Sequence, residues 1–287
     1  MKQLAIITGY FFTICVLGCL IAYPIYLIIG SDFERVVSRT ILFLAVLLFY
    51  PTCKCLKVKN IASIGWIKSH AAHSLTKSWI LGFIMLVPIS MIYYSCGFRF
   101  LESTPVTFFI FASALLSAII SGLLIGVIEE SIFRGLFQSQ LSQSMNLTLT
   151  IIIVSVIYSS VHFLEASDNL NDLQIEWHSG FVLLASAFAN LGNIYLFIDA
   201  WIALFLAGIF LSLVRIQTNN LVWCIGIHAG WVAHIKLFKE FTDRNDTASC
   251  ASLASHYDNY VGELSILLIA TILFIWMIVH MNNKSNH

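Results

Sequence analysis

Long apolar stretches separated by short polar clusters follow one another along almost the whole chain. About 20 apolar residues are needed to carry a helix across roughly 30 Å of hydrocarbon. At that length the pattern predicts crossings near 4–29, 41–56, 79–98, 106–128, 147–164, 181–214, 221–238 and 264–281. The stretches are too long for barrel strands, and only helices and closed barrels satisfy their own backbone in lipid. The fold class is therefore all-α, a polytopic transmembrane helical bundle of about eight spans, with 1–287 a single integral membrane domain. The 181–214 stretch exceeds one crossing and carries Asn190, Gly192 and Asn193, so it reads as a short or re-entrant piece followed by a full span. The first stretch is too long for the apolar core of a signal peptide and is read as a retained helix.

Composition agrees with this reading. Hydrophobic residues make up 59% of the chain and charged ones 10%, well outside the balance of soluble domains. Fifteen basic and fifteen acidic residues cancel, so the chain has no electrostatic footprint for nucleic acid. The seven cysteines are odd in number and form no CxxC pair, which predicts neither a disulfide framework nor a zinc site of that spacing. Lys54, Lys57, Lys59, Lys68 and Lys77 crowd one connection, and the positive-inside rule makes that loop cytoplasmic, with both termini on the same side. The loop 165–180, with Asp168, Asp172 and Glu176 and no Lys or Arg, fits the opposite side. Tyr26, Trp79, Tyr93 and Tyr94, near span ends, read as interfacial anchors.

Against this background the sequence Glu129-Glu130-Ser131-Ile132-Phe133-Arg134-Gly135 stands out, because ionisable groups inside an apolar span are costly and mark functional sites. Glu130 and Arg134 are four residues apart, with the acid first, the favourable order for an ion pair on one helix face. Glu129 is turned about 100° from Glu130, so one carboxylate can hold Arg134 while the other acts on water. Tyr158 and His162 share a face of the next span at the same spacing. With a turn near Ser144–Asn146, Glu129 lies about 16 residues before it and His162 about 17 after it, at similar heights in an antiparallel hairpin. A single helix from 106 to 142 would overrun the membrane, and a break at Gly122 or Gly126 is the expected remedy. Otherwise Gly122, Gly126 and Gly135 read as close-packing points. His228, in Ile227-His228-Ala229-Gly230-Trp231, supplies a third polar position on a third apolar helix, past the Asn219-Asn220 turn.

One glutamate and two histidines in a water-lined cavity can hydrolyse: the carboxylate takes a proton from water and the imidazoles orient that water or support the developing oxyanion. The same three residues could also make a His₂Glu zinc site with an open position for water, although no HExxH motif is present. No GxSxG elbow points to serine chemistry.

Glu129-Glu130 with Arg134, then Tyr158 with His162, then His228 resemble the three signature motifs of the CAAX prenyl endopeptidase and bacteriocin-processing (CPBP) family of intramembrane proteases, over about 114–236. The resemblance implies a catalytic core at about 106–238. It implies an endopeptidase acting on membrane-tethered or lipid-modified peptide substrates, with membrane lipid as its other partner, in a bacterial inner membrane. It implies Glu129 as general base, His162 as binder of the water and His228 as support for the oxyanion, with Glu130 and Arg134 holding the motif in shape. Metal dependence is left open, between a divalent ion such as zinc and none. Two positions depart from the pattern. Tyr158 stands where family members often have Phe. Val232, four residues after His228, stands where Asn is common and donates no hydrogen bond, so that either Tyr158 or the Trp231 indole replaces it or activity is low. The alternative is a non-catalytic membrane immunity factor or maturation scaffold of the same fold. A proton-relay transporter is disfavoured because no two similar halves with paired interrupted helices are visible.

Overall fold

The computed structural model describes residues 2–67, 69–103, 105–164 and 175–285. It is an all-α bundle: α1 (Lys2–Ile29), α2 (Phe33–Cys55), α3 (Ala71–Met85), α4 (Val87–Ser95), α5 (Phe108–Glu130), α6 (Gln138–Leu141), α7 (Leu147–Val161), α8 (Ser179–Gly192), α9 (Ile198–Thr218), α10 (Leu221–Glu240) and α11 (Glu263–Ser285). Among the described residues six helices are long and apolar enough to cross a membrane, and the shorter apolar helices Leu147–Val161 and Ser179–Gly192, with the apolar stretch Glu263–Val279 of α11, complete the bundle. The long 181–214 stretch divides as its asparagines suggest, into α8 and α9 with a 3₁₀ turn at Ile194–Phe197 between them. The 79–98 stretch is the second part of a longer span, α3 and α4, with Pro88 in the first turn of α4, where its missing N–H leaves no helical bond unmade.

The hairpin around the site is punctuated by side-chain caps. Thr107 Oγ1 accepts from Ile110 N at the start of α5, Asn146 Oδ1 from Leu149 N at the start of α7, and Asn220 Oδ1 from Val222 N at the start of α10. Asn219 closes α9 with φ 48°, a left-handed conformation that asparagine tolerates.

Helix α10 is the axis of the molecule. Two thirds of its apolar window is buried inside the protein, against one third at most for the other spans. Small residues let α3 and α5 approach it. A Cβ on Gly122 would stand 2.5 Å from the Ala229 carbonyl oxygen, and one on Gly126 2.9 Å from that of Ile225. These glycines therefore do not break α5. It runs straight through them, and the irregularity falls later, in a π-helical segment over Ser131–Phe137 whose seven residues are all buried. With that segment and α6 the span extends over 34 residues, Phe108–Leu141, and outreaches the hydrocarbon.

One end of the bundle gathers α2, the loop after it and the turn before α10, joined by Leu221 N donating to Gly65 O at 2.8 Å. The other end carries a two-stranded antiparallel ribbon, β1 (Arg99–Leu101) with β2 (Thr242–Arg244), in register Arg99 to Arg244. There a disulfide joins Cys96 to Cys250 across 154 residues, against the expectation of none. Two thiols this far apart carry no spacing signal; only the folded ends of α4 and the 245–262 segment bring them together. The same segment corrects the reading of Tyr93 as an interfacial anchor. Its ring is fully buried and its hydroxyl donates to the carbonyls of Leu253 and Tyr260, at 3.1 and 3.0 Å. Asp168, Asp172 and the rest of 165–174, like Lys68, lie outside the described residues.

Candidate active site

The last turn of α5 presents Glu129 and Glu130 in different directions. Glu130 is fully buried: its Oε1 accepts from Arg134 Nη1 at 3.0 Å and faces His228 Nδ1 at 2.8 Å. Arg134, also fully buried, donates from Nη2 to Gly208 O of α9 at 3.3 Å and lies over the Tyr158 ring, 4.2 Å from its centroid. At the first residue of α6, Gln138 Nε2 donates to Ser212 O at 3.1 Å, so the π segment and its neighbour are stitched to the α9 backbone. A buried charge pair is costly to break: removing one partner typically destabilises by about 3–5 kcal/mol.

Glu129 is held differently. Its Oε2 lies 3.8 Å from His162 Nε2 and 3.9 Å from His228 Nε2, with no hydrogen-bond partner among the described residues. The antiparallel α5–α7 pairing thus sets Glu129 and His162 side by side, and α10 adds His228 from a third direction.

The proton positions follow from the outer partners. His162 Nδ1 sits 2.7 Å from the Tyr158 carbonyl oxygen, an acceptor only, so Nδ1 carries hydrogen. His228 Nδ1 faces a carboxylate and does the same. In the neutral rings both Nε2 atoms therefore turn lone pairs toward a carboxylate oxygen. Three acceptors around one point call for a species rich in donors or positive charge, and a water molecule can donate to two of them.

The His₂Glu donor set is also right for zinc in kind, but not in spacing. Tetrahedral zinc with bonds of about 2.0–2.1 Å requires ligand atoms roughly 3.4 Å apart. Both separations from Glu129 Oε2 exceed this, and among the described residues no group of three His, Cys, Asp or Glu is arranged to hold a metal ion. The residues as they stand do not form a metal centre.

A cavity of about 290 Å³ opens on the two imidazoles, lined also by Tyr158, Trp231 and Val232. The Val232 side chain contributes no donor. Trp231 also lines the cavity, and its Nε1 is buried with no acceptor among the described residues. Tyr158 serves as a platform, its ring edge-on to His162 at 4.7 Å and beneath Arg134.

Some of the surroundings had no counterpart in the sequence reading. The cavity's remaining wall includes Tyr257, Asp258, Tyr260 and Val261, from a segment nearly a hundred residues after His162. Tyr257 Oη donates to the His162 carbonyl oxygen at 2.7 Å, and satisfies an end carbonyl of α7. No motif marks these residues, because their place depends on the disulfide and ribbon that fold the segment back.

Residues 111–234, which contain every one of the motif positions, match the family described as Type II CAAX prenyl endopeptidase Rce1-like. No curated protein matches the chain. The chain carries a Type II CAAX prenyl endopeptidase Rce1-like domain over residues 111–234, consistent with the CPBP family.

Proposed function

We propose that this protein is an intramembrane endopeptidase that cuts membrane-tethered or lipid-modified peptides, with a water activated by Glu129 as nucleophile. The observation that carries the reading is the Glu129 Oε2 atom without a hydrogen bond, 3.8 and 3.9 Å from two Nε2 atoms. These separations suit a shared water. That water donates one hydrogen to Glu129 and the other to an imidazole, leaving an oxygen lone pair for the peptide carbonyl carbon. As the C–O bond forms, Glu129 takes the proton. As the C–N bond breaks, the same proton passes to the leaving amine.

His162 then serves as the water's second acceptor, its ring fixed through Nδ1. His228 donates to an oxyanion when both its nitrogens carry protons, and Glu130 is placed to balance that charge. The Trp231 Nε1–H is the neutral donor available for the same task. Glu130 and Arg134 are positioning residues in this scheme. The membrane is that of a multi-pass protein of the bacterial inner membrane.

The test is turnover of tethered peptides in proteoliposomes. Glu129→Ala and His162→Ala should each abolish it, and full turnover in both variants would overturn the proposal. One observation favours the scaffold reading: Val232 lines the cavity where Asn is common in the resembling family. That reading requires Glu129→Gln to support substrate maturation in cells as well as the parent does.

A further inference from the structure

The two ends of the bundle differ in charge and in redox chemistry. Lys2, Lys54, Lys57, Lys59, Lys77 and Arg215 gather at the end where α2 finishes and α10 begins. The segments meeting there, 50–80, 138–150 and 212–224, contain no Asp or Glu at all. At the opposite end stand Asp32, Asp199, Asp243, Asp246, Asp258 and Glu263 together with Arg99 and with Arg35, Lys239 and Arg244, which pair with Asp32, Asp258 and Asp246, and there lies the Cys96–Cys250 disulfide. A short connection dense in lysine, as 54–77 is with Lys54, Lys57, Lys59, Lys68 and Lys77, marks the cytoplasmic side. A disulfide persists on the oxidising side. The two criteria are independent, and they agree.

The site has a definite place on this axis. His162 caps α7 at its disulfide-side end, and the loop wall of the cavity is Tyr257–Val261, from the segment that Cys250 ties down. That segment is fastened to the same end by Ser255 Oγ donating to Asp199 Oδ1 at 3.0 Å, by Lys239 Nζ donating to Asp258 Oδ2 at 3.0 Å and by Arg99 Nη2 donating to Asn259 O at 3.3 Å. On the lysine side the imidazoles are backed by a buried layer: Glu130, Arg134 and Phe137 are fully buried and Tyr158 is 2% exposed.

We infer that the cavity at His162 and His228 opens to the non-cytoplasmic side of the membrane, so that its substrates are peptide segments of exported or outer-surface-tethered proteins. This rests on the proposed hydrolase function for the word substrate, and on the geometry alone for the side. Chains acylated or prenylated in the cytoplasm would meet the closed, lysine-rich end.

The side can be read without any turnover. In intact cells expressing the full chain, a membrane-impermeant maleimide with peptide mapping should modify Val261→Cys and Asp246→Cys, while native Cys55, exposed at the lysine end, reacts at least tenfold more after permeabilisation. Cys96 and Cys250 should alkylate only after reduction. Labelling of Cys55 from outside, or an Asp246→Cys that reacts only after permeabilisation, overturns the inference. So does a Val261→Cys that stays unlabelled beside a labelled Asp246→Cys, since the cavity would then be closed to the outside. A second arm presents one reporter peptide tethered to the outer leaflet and one to the inner. Outer cleavage lost in Glu129→Gln supports the inference. Inner cleavage alone overturns it while leaving the hydrolase standing. Cleavage of neither, with the labelling as expected, counts against the hydrolase and leaves the assigned side intact.

Discussion

Glu130 Oε1 is shared between Arg134 Nη1 at 3.0 Å and His228 Nδ1 at 2.8 Å, whereas its sequence neighbour Glu129 makes no hydrogen bond through Oε2. Adjacent carboxylates thus occupy different chemical situations, one spent on structure and one available. The difference comes from the turn of about 100° between consecutive helical residues, and from α10 arriving on the Glu130 side.

The two glutamates should therefore fail in different ways. Glu129 is about a quarter exposed, and Glu129→Gln removes its basicity with little change of shape. Turnover should fall by about 10²–10⁴-fold, as for loss of a general base, with the unfolding temperature in detergent near that of the parent. Glu130→Ala strands a buried Arg134 and should lose about 3–5 kcal/mol of stability. Equal thermal shifts in the two variants would contradict this division.

Tyr158 is expected to matter for its ring more than for its hydroxyl. The Arg134 guanidinium lies 4.2 Å from the ring centroid and His162 packs on its edge. Tyr158→Phe keeps both contacts and should retain turnover within a few-fold and near-parent stability. Tyr158→Ala removes a buried aromatic and should cost about 3–5 kcal/mol. A Tyr158→Phe variant with turnover as low as that of Glu129→Gln would assign the hydroxyl a direct part in the reaction.

The bundle and its polar triad were legible in the sequence because both follow from short-range rules. Apolar length sets the spans, and counting residues from the turn at Ser144–Asn146 sets the heights of Glu129 and His162. The π segment after Glu130 was not legible, since its apolar residues suit an ordinary helix equally well; it depends on bonds such as Gln138 to Ser212 O, far along the chain. The break expected at Gly122 or Gly126 went to the wrong place for a related reason. A glycine in a helix can signal weakness or close approach, and only the partner, here α10, decides which. The Cys96–Cys250 link and Tyr257 are products of chain return, for which a single sequence holds no periodic signal.

The packing role of Gly122 is open to a direct check. Its added Cβ would meet the Ala229 backbone oxygen at 2.5 Å, an atom that cannot rotate away, whereas a Cβ on Gly9 would meet nothing within 4 Å. Gly122→Ala should destabilise by about 1–3 kcal/mol, the usual cost of overpacking. Gly9→Ala should be neutral or slightly stabilising through its higher helix propensity. Thermal unfolding of both in the same detergent makes the comparison, and equal midpoints would contradict the tight α5–α10 contact.

Val232 leaves its part of the cavity wall without a donor, and the Trp231 indole is the candidate to replace one. The Trp231 Nε1–H is buried, without an acceptor among the described residues, in the wall of the cavity that the imidazoles face. An unpaired buried donor is costly in the resting protein, and a negative oxygen forming in the cavity would repay it. Trp231→Phe removes that hydrogen and keeps an aromatic ring, so it should lower kcat by about 10²–10³-fold, the usual loss for one oxyanion donor. KM should change little, because the bond is made only as charge develops. Val232 borders the same cavity, and Val232→Asn should restore part of the turnover lost in Trp231→Phe, since the new amide can donate in its place. If kcat is untouched in Trp231→Phe, the indole plays no part in the step. If Val232→Asn lowers turnover in both backgrounds, the cavity has no use for a second donor there, and stabilisation of the oxyanion falls to His228.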